Sequence, residues 1–298
     1  YSYPCYKGYY YSGNHKLGCH AHASPLQFRD AIATSCNGYF CYVLRNILEN
    51  KAYGSTAEAL DAWRDYVLSF GFGHKLGSDF PSELGGNIPT AKYYDRIYGA
   101  GRWRFQTVVS LSIGQGEIGA TPLQIANLAA IMANRGFYYI PHIVKDSDGV
   151  KIDGRFHEKQ YTKVDTSYFQ VAVEGMYMAV NGGGSAGMTA RAAAIPGLDV
   201  CGKTGTAQMK EGRGYSSTNY NASFIGIVPA TRPEIVILVT YQKPFHCRSR
   251  ATSEAAGVPM FNHQGGLCAA PTFREIASVV LRYLEIEPDV PDEVPEEE

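Results

Sequence analysis

Residues 199–206 read Asp-Val-Cys-Gly-Lys-Thr-Gly-Thr, and this stretch reads as a strand. Downstream, Ser223 to Val228 and Glu234 to Tyr241 are apolar, β-branched runs separated by Pro229 to Pro233, the pattern of an antiparallel hairpin. Thr272 to Leu284 follows as an amphipathic helix. Upstream, the signals are helical. Ser24-Pro25-Leu26-Gln27, Ser55-Thr56-Ala57-Glu58 and Thr121-Pro122-Leu123-Gln124 each read as a capped helix start. The first of these helices ends near Ser35-Cys36-Asn37-Gly38, and a second is expected over Tyr39 to Leu48. A third stops at Gly71, the helix from Thr121 at Gly136, and another runs from about Thr166 to Val180. Residues 72–107, with Pro81, Gly85, Gly86 and Pro89, read as irregular. Helices first, then strands, then a closing helix give an α+β class.

The bulk properties exclude several functions. The 298 residues are 45% hydrophobic and 18% charged, a globular composition. A net charge of -1 leaves no basic field for nucleic acid. No apolar run of about 18 residues is present to span a membrane. The chain opens at Tyr1, which reads as a fragment or processed product with any anchor upstream. Its 22 tyrosines read as core and rim material. Seven cysteines at irregular spacing do not indicate a dense disulfide framework. One domain is expected over 1–285, opening with a Cys/His-rich loop or short hairpin at 1–23. An acidic, Pro-rich and disordered tail is expected over 286–298.

Two triplets carry chemistry. Ser35-Cys36-Asn37 lies at an expected helix end and Lys203-Thr204-Gly205 on an expected strand. Each alone is weak; an isolated pair reads as a helix cap and an exposed strand lysine. Together they are two of three elements of a serine acyl-transferase signature. Their settings, "AIATSCNGYFCYV" around Ser35 and "CGKTGTAQ" around Lys203, add specificity, as does "IGQGEIGATPLQIANLAAIMANRG" at 113–136. With "FGFG" at 70–73 and "GGNIPT" at 85–90, these stretches resemble class B penicillin-binding proteins, especially penicillin-binding protein 2. The resemblance covers roughly 1–242, and more loosely 265–277; the loop at 243–264 stays unassigned.

The resemblance implies a β-lactamase/transpeptidase-like fold, with an antiparallel sheet flanked by helices and a mostly helical subdomain. It implies acyl transfer on D-Ala-D-Ala stem peptides of peptidoglycan, with β-lactams as mimics. Ser35 would relay a proton, Asn37 would hold the substrate's side-chain amide, and Lys203 would supply charge. Thr204 and Thr206 would offer hydroxyls to the substrate carboxylate, with the Thr206 N–H as oxyanion donor. Gly205 would let substrate lie along the strand edge. It also implies the extracytoplasmic face of the inner membrane and membrane-embedded cell-wall synthesis proteins as partners.

No serine is followed by lysine three residues later, so the nucleophile–base tetrad of this signature is missing. Ser12, with Lys16 at +4, lies in a glycine-bearing loop-like setting. In the family the tetrad lies upstream, so N-terminal truncation is the expectation, and the chain alone should not acylate. A non-catalytic pseudoenzyme or scaffold, or a β-lactam hydrolase of the same fold, are the alternatives; no deacylation base is evident for the latter. Glu117, a conceivable base, reads as structural.

Cys5, Cys19, His20 and His22 are candidate ligands of a structural zinc, since thiolate and imidazole are its preferred donors. Some penicillin-binding protein 2 relatives carry a metal just before Ser-x-Asn, and catalysis itself implies no cofactor. The spacing is not that of a zinc finger, and a polar loop with a Cys5–Cys19 disulfide or free thiols is the alternative. Cys36 reads as a small buried residue. "NGGGSAG" at 181–187 reads as a helix stop rather than a phosphate loop.

Overall fold

The computed structural model describes residues 2–145, 151–182, 188–212, 214–244 and 264–287. The loop residues 245–263, the glycine-rich residues 183–187 and the tail residues 288–298 lie outside the described residues. The chain divides into two compact units, one of residues 1–31 and 36–171, the other of 32–35 and 172–298.

The first unit opens with an antiparallel hairpin, β1 (Gly8–Ser12) and β2 (His15–Gly18). The helix α1 (Phe28–Ala33) comes next. It starts later than the Ser24 signal suggests. Leu26 exchanges both backbone hydrogen bonds with Tyr3, at 2.9 Å each, and the Ser24 hydroxyl accepts the Cys5 N–H. Both residues are thus spent on an extended segment. The helices α2 (Asn37–Leu48) and α3 (Thr56–Ser69) follow, with Ser55 capping the latter. Within 72–107, expected to be irregular, lies α4 (Ala91–Tyr98). Thr90 caps it through the Tyr93 N–H, and Asp61 accepts the Ala91 N–H at 2.9 Å. No acidic residue completes a capping box there, so the sequence lacks the signal. Leu44, Leu48, Leu60, Tyr94, Trp103 and Phe105 are among the buried core of these helices.

α5 (Pro122–Ala133) carries the full reciprocal box: Gln124 N–H to Thr121 Oγ1 at 3.2 Å, Thr121 N–H to Gln124 Oε1 at 3.0 Å. Gln124 is 1% exposed, and its amide nitrogen lies 3.0, 2.9 and 2.9 Å from the carbonyls of Gly71, His74 and Gly85. One side chain therefore ties the helix start to the loop after α3. The two-stranded sheet β3 (Phe137–Tyr139) and β4 (Lys159–Tyr161) completes the unit before α6 (Ser167–Asn181).

The second unit is an antiparallel sheet in the order β5-β6-β7: β5 (Cys201–Glu211), β6 (Gly214–Val228) and β7 (Ile235–Gln242). β5 and β6 run past the apolar segments into polar sequence, which the pattern of apolar residues did not reveal. The helix α7 (Gly265–Tyr283) covers one face. It begins seven residues before the expected Thr272, through a small-residue turn of Gly265, Gly266, Ala269 and Ala270. Its Ala269, Phe273, Ala277 and Leu281 recur at helical spacing and are buried with Phe224, Val228 and Val239. The Phe224 and Phe273 rings meet edge-on at 4.8 Å. A Cβ on Gly226 would stand 2.2 Å from the Phe273 ring, so glycine is what lets the helix sit this close. β5 is an edge strand among the described residues.

Gln124→Leu keeps the volume but leaves buried carbonyls without donors. It should lower unfolding free energy by about 3 kcal/mol, read from chemical denaturation; a loss below about 0.5 kcal/mol would refute the tie.

Candidate active site and metal centre

Ser35 owes its position to a helix ending. The Ser35 N–H donates to the Ile32 carbonyl at 3.1 Å and the Cys36 N–H to the Ala31 carbonyl at 2.9 Å. These two bonds form a Schellman motif, whose left-handed residue is usually glycine. Ser35 takes that place at φ 54°. A side chain other than glycine or asparagine is uncommon there, and backbone outliers of this kind concentrate at functional sites.

Lys203 reaches Ser35 across 168 residues of sequence: its Nζ donates to Ser35 Oγ at 2.9 Å. The same amine lies 3.1 Å from the Thr204 carbonyl and 3.4 Å from Thr204 Oγ1. All these partners are neutral oxygens. Lys203 is only partly covered as a residue, but its ammonium is shut away from water, and this desolvation pushes its pKa from 10.5 down to about 8. A desolvated cation solvated by hydroxyls can bind a carboxylate and exchange a proton with Ser35 near neutrality.

Gly205 and Thr206 extend the motif toward the start of α7. Thr206 Oγ1 accepts the Gly265 N–H at 3.0 Å. A Cβ on Gly265 would stand 2.5 Å from the Gly205 carbonyl and 2.3 Å from that of Ser223. The helix start therefore lies directly on the Lys-Thr-Gly backbone. The sequence reading had not found Gly265; its only signal was the glycine pair before an apolar helix.

Asn37, the first residue of α2, donates through Nδ2 to the Gly18 carbonyl at 2.8 Å. In this structure it braces the end of the β1–β2 hairpin. Glu117 is committed elsewhere, its carboxylate accepting the buried Tyr94 hydroxyl at 2.8 Å.

The Cys/His cluster assembles with one exchange. Ligand atoms of Cys5, Cys19, His22 and Cys36 all lie within 4.8 Å of one another. His20 is not in this group. Its ring packs edge-on against His22 at 5.4 Å, and the fourth donor is Cys36, the middle residue of Ser-Cys-Asn. Cys5 and Cys19 are free thiols, not a disulfide. Cys36 also caps α2, accepting the Tyr39 N–H at 3.3 Å. Cys36 hydrogen-bonds Cys19, which holds the Cys19 thiol low and pushes Cys36 far up.

The donor set fits tetrahedral zinc. Thiolate bonds of about 2.3 Å place ligand atoms about 3.7 Å apart, within small side-chain rotations of the arrangement here. His22 Nδ1 lies 2.7 Å from the Ala23 carbonyl, so Nδ1 carries the proton and Nε2, 3.3 Å from Cys19 Sγ, presents its lone pair. Leu26, Ala31 and Tyr39 pack around Cys5 and Cys36 and exclude water.

The Lys203 geometry makes a stability prediction. At Lys203 the folded chain binds fewer protons than the unfolded chain between pH 8 and 10.5, so this residue adds stability as pH rises across that window, against the opposite contributions of the buried Cys36 and Cys41 thiols. Below pH 8 the desolvated charge opposes folding by up to about 3 kcal/mol. Lys203→Met should therefore raise the melting temperature at pH 7, and this gain over wild type should shrink as pH rises from 8 to 10.5. A destabilised variant, or a difference from wild type that does not change over that window, would contradict the assignment.

The penicillin binding protein transpeptidase domain family matches residues 2–265. Peptidoglycan D,D-transpeptidase MrdA of Acinetobacter baumannii is 32% identical over 242 residues, covering 76% of this chain and 33% of that protein. The Haemophilus influenzae MrdA is 30% identical, covering 70% and 32%. The chain thus spans about a third of the length of the curated relatives it matches. In three dimensions it is similar to Pseudomonas aeruginosa PBP2 in complex with WCK 5153. That match has a TM-score of 0.70 and 24% identity, and covers 99% of this chain and 58% of that one. PBP2 in its complex with MreC from Helicobacter pylori is similar at TM-score 0.68 and 20% identity, with 95% and 44% covered. These likenesses carry the α+β fold. The family match and the paired Ser-x-Asn and Lys-Thr-Gly motifs carry the rest: the chain belongs to the class B penicillin-binding protein transpeptidases.

Proposed function

We propose that these residues form the substrate-binding and proton-relay part of a serine-type D,D-transpeptidase that cross-links peptidoglycan stem peptides. The observation that carries the reading is the Lys203 Nζ–Ser35 Oγ bond of 2.9 Å. A stem peptide would lie along β5, an edge strand among the described residues, as an added strand. Its terminal carboxylate would meet the Lys203 charge and the Thr204 and Thr206 hydroxyls. The Thr206 N–H would face the developing oxyanion. Ser35 passes a proton toward the leaving D-alanine, and Lys203 holds the Ser35 hydroxyl in place for that transfer. Asn37 braces the hairpin and binds the substrate's side-chain amide. The attacking hydroxyl and its base come from a Ser-x-x-Lys tetrad, which these 298 residues do not contain, and on its own this chain does not acylate.

The reading extends to place and partners. The enzyme works at the extracytoplasmic face of the inner membrane, held by an anchor beyond these residues. No helix of the described residues is long and apolar enough to cross a membrane. Membrane-embedded cell-wall synthesis proteins are its partners, and the PBP2–MreC complex of Helicobacter pylori supports a partner protein of that assembly. Zinc is held by Cys5, Cys19, His22 and Cys36. When bound it supplies structural cross-linking alone, fastening the hairpin end to the start of α2.

Fluorescent penicillin applied to the full product of the encoding gene tests the catalytic reading. Labelling is expected, with a fall of about 100-fold or more in rate for Lys203→Met and Ser35→Ala. A full product that takes no label would overturn the transpeptidase assignment.

Elemental analysis tests the metal. Zinc should copurify at a near-equal ratio, fall sharply in Cys36→Ser and His22→Ala, and be unchanged in His20→Ala. Zinc loss in His20→Ala but not in Cys36→Ser would restore the ligand set read from sequence.

A further inference from the structure

Three thiols of the cluster stand close enough to react with one another. The sulfurs of Cys5, Cys19 and Cys36 lie within 4.8 Å, and all three are free. They differ in access. Cys36 is 0% exposed and Cys5 8%, while Cys19 is partly open to solvent. They differ in freedom as well. Cys36 is pinned as the N-cap of α2, whereas Cys19 follows β2 at the head of an irregular segment. Cys36 faces both other sulfurs within 4.8 Å, and of these two Cys19 is the one open to a solvent oxidant. Bonded sulfurs stand about 2.05 Å apart, a gap that rotation of the Cys19 side chain can close. A tetrahedral metal would hold the same sulfurs apart and occupy their lone pairs.

We propose that Cys19 and Cys36 form a reversible disulfide when the centre holds no metal, so that the four residues alternate between a metal-binding and an oxidised state. The protective role of metal rests on the zinc reading above; the pairing rests on the thiol geometry alone. The oxidant is a hydroperoxide. The Cys19 sulfur attacks its terminal oxygen; the S–O bond forms, the O–O bond breaks, and with hydrogen peroxide one water leaves, carrying the thiol proton. The Cys36 sulfur then attacks the Cys19 sulfur. The S–S bond forms, the S–O bond breaks, and the hydroxyl departs as a second water with the Cys36 proton. The thiols give up two electrons and the peroxide takes two. A dithiol reverses the change by exchange.

Two consequences follow. Oxidation removes two of four ligands, so the disulfide form refuses zinc. Because Cys36 stands between Ser35 and Asn37 in the chain, the oxidised state is a covalent mark inside the Ser-x-Asn motif.

The test compares zinc-treated with chelator-stripped protein, both exposed to hydrogen peroxide, then thiol-blocked and peptide-mapped by mass spectrometry. In stripped protein a Cys19–Cys36 cross-link is expected, along with loss of zinc uptake; dithiothreitol should restore that uptake. With zinc bound, cross-linking should be slowed about tenfold or more. Cys5→Ser should still form the cross-link. Oxidation of Cys19 to sulfinic acid without a cross-link, or pairing of Cys19 with Cys5, would overturn the proposal. Equal rates with and without bound zinc would overturn the alternation. Protein that takes up no zinc in either state would sink the metal reading, and the cross-link map would then decide the pairing alone.

Discussion

A lysine ammonium held out of water against a serine hydroxyl is the constraint on which the active site depends. Lys203 has neutral oxygens around its nitrogen, and desolvation brings its pKa to about 8. Such a group is unfavourable for folding and useful for binding. Among the described residues its hydrogen-bond partners are neutral oxygens, and an anionic group brought to it would relieve that cost. The surrounding sheet and helix bear the energetic burden. The Phe224–Phe273 contact and the alanine face of α7 fasten the helix to the sheet that carries Lys203.

Close backbone approach is the second requirement. Gly265 sits against the Gly205 and Ser223 carbonyls where any Cβ would collide, and the Thr206 hydroxyl caps its N–H. The start of α7 and the Lys-Thr-Gly strand are therefore one construction. At the other motif, a single turn serves two helices. Ser35 ends α1 in left-handed geometry, and Cys36 begins α2 while offering its sulfur to the Cys/His cluster. Consecutive residues thus serve the Lys203 hydrogen bond and the Cys/His cluster.

Much of this was legible in the sequence because it is local. The Thr121–Gln124 box, the Ser55 cap and the β6 and β7 apolar runs announce themselves within a few residues. So do the two triplets, though only in combination. What stayed hidden depends on tertiary contact. The extended Leu26 segment is set by Tyr3, and α4 is capped by Thr90 and by Asp61 from another helix. His20 and His22 are equivalent on paper. The fold brings the His22 ring to the three sulfurs, and the Ala23 carbonyl leaves its Nε2 facing Cys19. Cys36 looked like a small buried residue because its partners, Cys5, Cys19 and His22, converge on it only in the fold.

The protonation state of the Lys203 nitrogen can be observed directly. Nitrogen-15 NMR titration of the Lys203 ammonium should give a midpoint near 8, with the resonance perturbed by Ser35→Ala. A midpoint near the ordinary 10.5, unmoved by loss of the serine hydroxyl, would mean that the amine is solvated and the relay pair does not form.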